Sequence, residues 1–129
     1  MTNSSIRRVT PVRFSANKWL PVFSAMTLAT HLRIIFPSAV PSVIRTRYVP
    51  ITSEDKAVKP WSWNGDLDRV SISPSILTVW EGDDENGLRI KHVRHSVIKG
   101  GIIQFQRDCT HELAGKIRPI PPLEPEEAN

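Results

Sequence analysis

Apolar and polar positions alternate most regularly between Leu88 and Ile98, and Ile102 to Gln106 answers that alternation across Lys99-Gly100-Gly101. A period of two puts successive side chains on opposite faces of a strand. Two such runs joined by a short Gly-containing link predict a β-hairpin over residues 88–106. With a three-residue loop, residue 98 faces 102, His95 faces Phe105 and His92 faces Asp108. The stretch 24–36 carries a different period. Ala25, Leu28, Ala29, Leu32, Ile35 and Phe36 recur at helical spacing, Ser24 is placed to cap the start and Pro37 to force the stop, so one N-terminal helix is predicted there.

The remaining segments are shorter. Residues 1–23 read as an extended start interrupted by Pro11 and Pro21, and residues 43–51 as an edge strand limited by Pro41 and Pro50. Residues 52–60 form a charged linker. Residues 71–80 (SISPSILTVW) read as a strand whose first half Pro74 turns into an edge or entry, and 82–87 as a turn. Asp108 to Gly115 reads as a single helical turn, capped by Asp108 and closed by Gly115. Residues 124–129 are expected to be a disordered tail.

The 129 residues suit a single domain, and eleven prolines against six glycines mark a loop-rich chain. The fold class is therefore mainly β: a small antiparallel β-domain with a hairpin at 88–106 and a helix at 24–36. No membrane span is expected, because the uncharged run Trp19–Leu32 is 14 residues long and broken by Pro21, where a span needs about 20 mostly apolar residues. Charge divides the chain unevenly. Residues 1–50 hold seven basic side chains and no Asp or Glu, whereas 51–129 hold ten basic and thirteen acidic ones, a net of −3. Arg7, Arg8, Arg13, Lys18, Arg45 and Arg47 in this basic region are candidate partner-binding residues, for an acidic protein surface or for nucleic acid. The plainer alternative is a solvated outer face. A single cysteine, Cys109, forbids an internal disulfide and fits a reducing compartment, the cytoplasm.

Three polar residues are candidate metal ligands: His95, Cys109 and His111. Zinc takes Cys and His, but the usual pair of C-x-x-C knuckles is absent, and hydrogen bonding around a turn explains the same residues. Cys109 with His95 or His111 as base and Asp108 as orienter makes a nucleophile constellation on paper; nothing in the local sequence enforces its geometry. Glycine-rich phosphate loops, paired-carboxylate motifs and H-E-x-x-H are missing, so no catalytic residue is assigned. Trp61 and Trp63 lie on one face of an extended chain and are read as structural, plugging the end of a small core. Asn64-Gly65 after them forms a turn.

The strings WSWNGDLDRVSISPSILTVW (61–80) and RHSVIKGGIIQFQRDCTHELAGK (94–116), with Pro121-Pro122-Leu123, resemble a family of short phage and prophage proteins. Its pattern runs W-x-W-N-G, S-P-S-[IV]-L, C-H-S-F and D-C-T-H-x-L-A-G, and some of its members are labelled ammonia monooxygenase. The resemblance covers a β core at 61–123 and implies a zinc-ribbon-like fold with cysteine ligands. Here His95, Cys109 and His111 match, but Arg94 stands at a family cysteine, so the ribbon is degenerate and no cofactor is expected. These features together predict a non-enzymatic accessory module that binds a host or phage protein in the bacterial cytoplasm. The alternatives are a nucleic-acid-binding protein using the basic region and a metal-dependent hydrolase.

Overall fold

The computed structural model describes residues 6–52, 59–83 and 86–124. The expected tail, beyond residue 124, and the middle of the charged linker lie outside the described residues, as do two residues of the 82–87 turn.

The chain is mainly β, built as two antiparallel sheets. The first contains β1 (Val9–Ser15), β2 (Lys18–Pro21), β3 (His31–Ile35) and β4 (Thr46–Pro50), in the order β2-β1-β3-β4. The second contains β5 (Ser62–Trp63), β6 (Ile72–Asp83), β7 (Arg89–Lys99), β8 (Ile102–Phe105) and β9 (Ile117–Pro119), in the order β5-β6-β7-β8-β9.

The predicted helix over 24–36 does not form. A short 3-10 helix, Phe23–Leu28, is broken at Ala25 (φ −140°), and β3 follows. The physical reason is visible in the burial pattern. From residue 31 to 36, burial strictly alternates, with Leu32, Ile34 and Phe36 inside. Leu28, which the helical stripe would have buried, is 53% exposed. The same apolar residues fit both periods, and the β-branched pair Ile34-Ile35 together with pairing to β1 and β4 decides for the strand. The extended start also hides a hairpin: β1 and β2 pair across Ala16 and Asn17, whose φ values of 51° and 63° are those of a tight primed turn.

The 88–106 hairpin forms, one residue out of the predicted register. Lys99 pairs with Ile102 and Ile98 with Ile103, so the loop is Gly100-Gly101 alone, both at positive φ. Two glycines meet a two-residue primed turn at no steric cost, which is why the tighter loop wins. Consequently Ser96, not His95, faces Phe105, and because β8 ends there His92 is not paired with Asp108; its ladder partner on the β6 side is Trp80. Residues 108–115 form turns rather than a helical one, with Gly115 closing them at φ 75° as expected.

One apolar cluster is shared by the two sheets. Val9, Leu32, Ile34 and Val49 from the first meet Ile72, Ile76, Ile98, Ile103 and Phe105 from the second. Each of the fully buried aliphatic side chains among them contributes about 1.5–3 kcal/mol. Trp61 and Trp63, both partly buried, pack against this cluster. Asn64 closes the turn beyond them: its Oδ1 accepts from the N–H groups of Asp66 and Ser71, and Gly65 takes φ 79°.

Candidate active site

Even-numbered residues of β7 point into the core: Arg94, Ser96 and Ile98 are buried. Odd-numbered ones, including His95, therefore face outward. On β6 the equivalent face carries Ser73, then Leu77 and Val79, with Leu77 paired to His95 and Val79 to Val93. Between these stretches the register shifts, so that three residues of β6, Ser73-Pro74-Ser75, stand opposite Val97 alone. Proline has no N–H for a ladder, and an irregularity of this kind both accommodates it and re-aims its neighbour.

The neighbour is Ser75. Its hydroxyl lies 3.1 Å from Nε2 of His95. On the other side of the ring, Nδ1 lies 3.1 Å and 3.2 Å from the two carboxylate oxygens of Asp108. In the tautomer with the proton on Nδ1, the imidazole donates to Asp108 and accepts from the Ser75 hydroxyl. That arrangement is a nucleophile, a base and an orienting carboxylate in mutual contact.

Each member is held from outside. The indole N–H of Trp61 donates to the Ser75 carbonyl at 3.3 Å. The chain leaving β8 stays bonded along β7: Gln106 N–H donates to His95 O at 2.8 Å and Thr110 N–H to Val93 O at 3.0 Å. This closure brings Asp108 alongside His95. The side chain of His95 is 29% exposed and that of Asp108 58% exposed, so the site opens directly to water.

The candidate metal ligands are not gathered. His95 is engaged by Ser75 and Asp108, the Cys109 sulfur contacts the His95 backbone, and the His111 ring lies edge-on to Phe105 at 4.9 Å. Among the described residues no group of three or more His, Cys, Asp or Glu could hold a metal ion, so the side chains present do not fit zinc. Burial pushes the Cys109 thiol up, and its sulfur is engaged with the backbone of His95.

Most basic candidates for partner binding are engaged within the fold. Arg8 pairs with Asp68 at 2.9 Å and also donates to the Ile120 carbonyl. Arg13 donates to Leu28 O, and Arg45 to Ser38 O and Val40 O. Arg47 reaches the second sheet at Thr78 Oγ1, 3.0 Å away, and Arg7 sits over the Phe23 ring. Lys18 lies exposed at the start of β2.

Arg94 is fully buried, its guanidinium 3.7 Å from the centre of the Phe36 ring and bonded to Thr78 Oγ1 at 2.8 Å. Burial, with a smaller contribution from Arg47, pulls its pKa down to about 9. Its Nε and Nη1, and Nε2 of His111, lack a hydrogen-bond partner among the described residues.

Ser75 carries no motif that marks a nucleophile; G-x-S-x-G is absent. The one legible sign was a proline inside a strand-like run, which announces an irregularity and hence a re-aimed side chain. No helix among the described residues is long and apolar enough to cross a membrane.

Comparison with known proteins adds one relation. The family described as bacterial ubiquitination-like system serine protease (BubE) matches residues 40–106, a stretch that contains Ser75 and His95 and ends just before Asp108. No curated protein is matched by the chain. No solved structure is matched either.

Proposed function

This chain belongs to the family of bacterial ubiquitination-like system serine proteases (BubE), and from that premise we propose that it is a serine hydrolase working through Ser75, His95 and Asp108. The observation that carries the proposal is the unbroken contact from Ser75 Oγ through the two ring nitrogens of His95 to the Asp108 carboxylate. His95 takes the Ser75 proton as the oxygen attacks the acyl carbon, then returns it to the departing amine or alcohol. Asp108 keeps the ring in the productive tautomer and steadies the imidazolium. Water, deprotonated by the same histidine, releases the acyl group.

The family's description supports a substrate class. We place the scissile bond at the carboxyl end of a protein modifier, joined to further residues or to a target, in the bacterial cytoplasm. Protein partners are thus substrates and conjugation components. This reading is preferred to a non-enzymatic accessory module, phage-encoded or not, because three chemically matched side chains meet where an interaction surface needs none. It is preferred to nucleic-acid binding because Arg13, Arg45 and Arg47 are engaged with internal carbonyls and hydroxyls.

A fluorophosphonate probe tests the proposal. The expected result is a stable adduct on Ser75 in the wild type and none in Ser75→Ala. Equal labelling of both proteins overturns it.

A further inference from the structure

Beside the triad, on the same outward face of the second sheet, lies a pocket of about 460 Å³ bounded by Trp63, Ile72, Ser73, Val97 and Lys99. A larger hollow of about 640 Å³, against the Asn64–Asp68 turn, holds neither of the residues flanking the triad. The smaller pocket holds both. Ser73 and Val97 are each two positions along their strands from Ser75 and His95, about 7 Å. Its volume is that of a site for one or two side chains; Val97 turns an apolar side chain to this outward face, whereas Ile72 and Ile98 turn theirs to the core.

The register fixes which side of the scissile bond this pocket serves. His95 is paired with Leu77, so the imidazole lies toward the Leu77–Val79 end of the face, and the pocket lies at the opposite end. A histidine that protonates the leaving group must stand on the leaving-group side of the nucleophile. The pocket therefore receives the other half of the substrate. We propose that it binds an apolar side chain of the acyl group, seated against Val97, while the leaving group departs over Leu77 and Val79. Among the described residues its lining holds no carboxylate, and Lys99 at the rim admits an acidic neighbour farther along the acyl chain.

The assignment rests on the triad chemistry proposed above, and two p-nitrophenyl esters separate the two. The acetate ester leaves the pocket empty; the 3-phenylpropanoate ester fills it. With wild-type protein, kcat/KM for the larger ester is expected to exceed that for acetate by about tenfold or more, with both rates lost in Ser75→Ala. Val97→Asp is expected to bring the ratio close to one, chiefly through KM. Val97→Thr, nearly isosteric, reduces it partway should the aspartate variant fail to fold. A Ser75-dependent enzyme whose wild-type ratio is already near one, or whose ratio survives both Val97 changes, overturns the pocket assignment alone. Hydrolysis that persists in Ser75→Ala overturns the triad, and the pocket assignment with it.

Discussion

The sulfur of Cys109 grips the backbone of His95 from both sides: the His95 N–H points to Sγ at 3.2 Å, and the thiol points back to the His95 carbonyl at 3.3 Å. In the proposed triad, the residue that the composition singles out as a potential ligand or nucleophile is thus a positioning residue. It fixes the stretch of β7 from which the imidazole projects.

Cys109→Ser keeps a donor and an acceptor in that place, and is expected to cost about 1 kcal/mol and to leave most activity. Cys109→Val removes both contacts and leaves the part-buried His95 N–H without its sulfur partner, a loss of about 1–3 kcal/mol, with a larger fall in kcat. Urea unfolding alongside ester hydrolysis checks the pair. A serine variant as inactive as Ser75→Ala would restore the nucleophile reading for Cys109.

Asp108→Asn keeps the size of the side chain but removes the charge that orients the ring. Because the carboxylate is largely exposed, its effect falls on catalysis rather than stability. A loss of about 10²- to 10⁴-fold in kcat is expected, with the unfolding midpoint nearly unchanged.

How much of this was legible beforehand divides along physical lines. The hairpin at 88–106, the edge position of β4, the Asn64-Gly65 turn and the packing of Trp61 and Trp63 rest on local turn chemistry and on large apolar areas, both written directly in the residues. β3 was misread because Leu32 and Phe36 satisfy two periods at once, and only its neighbours choose between them. The triad was half visible. His95 and Asp108 were noticed, but Ser75 reaches them through a register shift, and a shift is a property of two strands together.

The arginine at position 94 offers a sharper test of energetics. A charge taken fully out of water, with two nitrogens unpartnered, opposes folding. Arg94→Met, which keeps volume and removes charge, is expected to be neutral or stabilising in chemical denaturation. Arg94→Ala, which leaves a cavity beside Phe36, is expected to cost about 2–4 kcal/mol.

Stability is expected to fall on mild acidification. Burial lowers the pKa of His111, with Arg94 adding to it, and burial likewise lowers that of His31, each from an ordinary value of 6.5. Below that value the unfolded chain binds protons that the folded chain refuses, so stability is complete above about pH 6.5 and declines as pH drops toward the folded pKa values. Thermal melts between pH 7.5 and 5 check the slope, and His111→Gln is expected to flatten it.

The two hairpin glycines differ in what surrounds them. A Cβ on Gly101, at φ 79°, meets the Asp68 carbonyl oxygen at 2.5 Å, whereas one on Gly100, at φ 59°, meets nothing within 4 Å. Gly101→Ala is expected to destabilise by about 1–3 kcal/mol or more, and Gly100→Asn to be tolerated, since Asn enters the left-handed region readily. Comparison of their melting points decides it.

The exposure of Asp108 bears on how the proposed hydrolase would act unaided. Electrostatic help at a reacting centre weakens when bulk solvent surrounds it. On the proposed reading, a small ester is expected to leave the open face wet and to react slowly, and a folded protein laid across the second sheet is expected to dry the imidazole and to be cleaved faster.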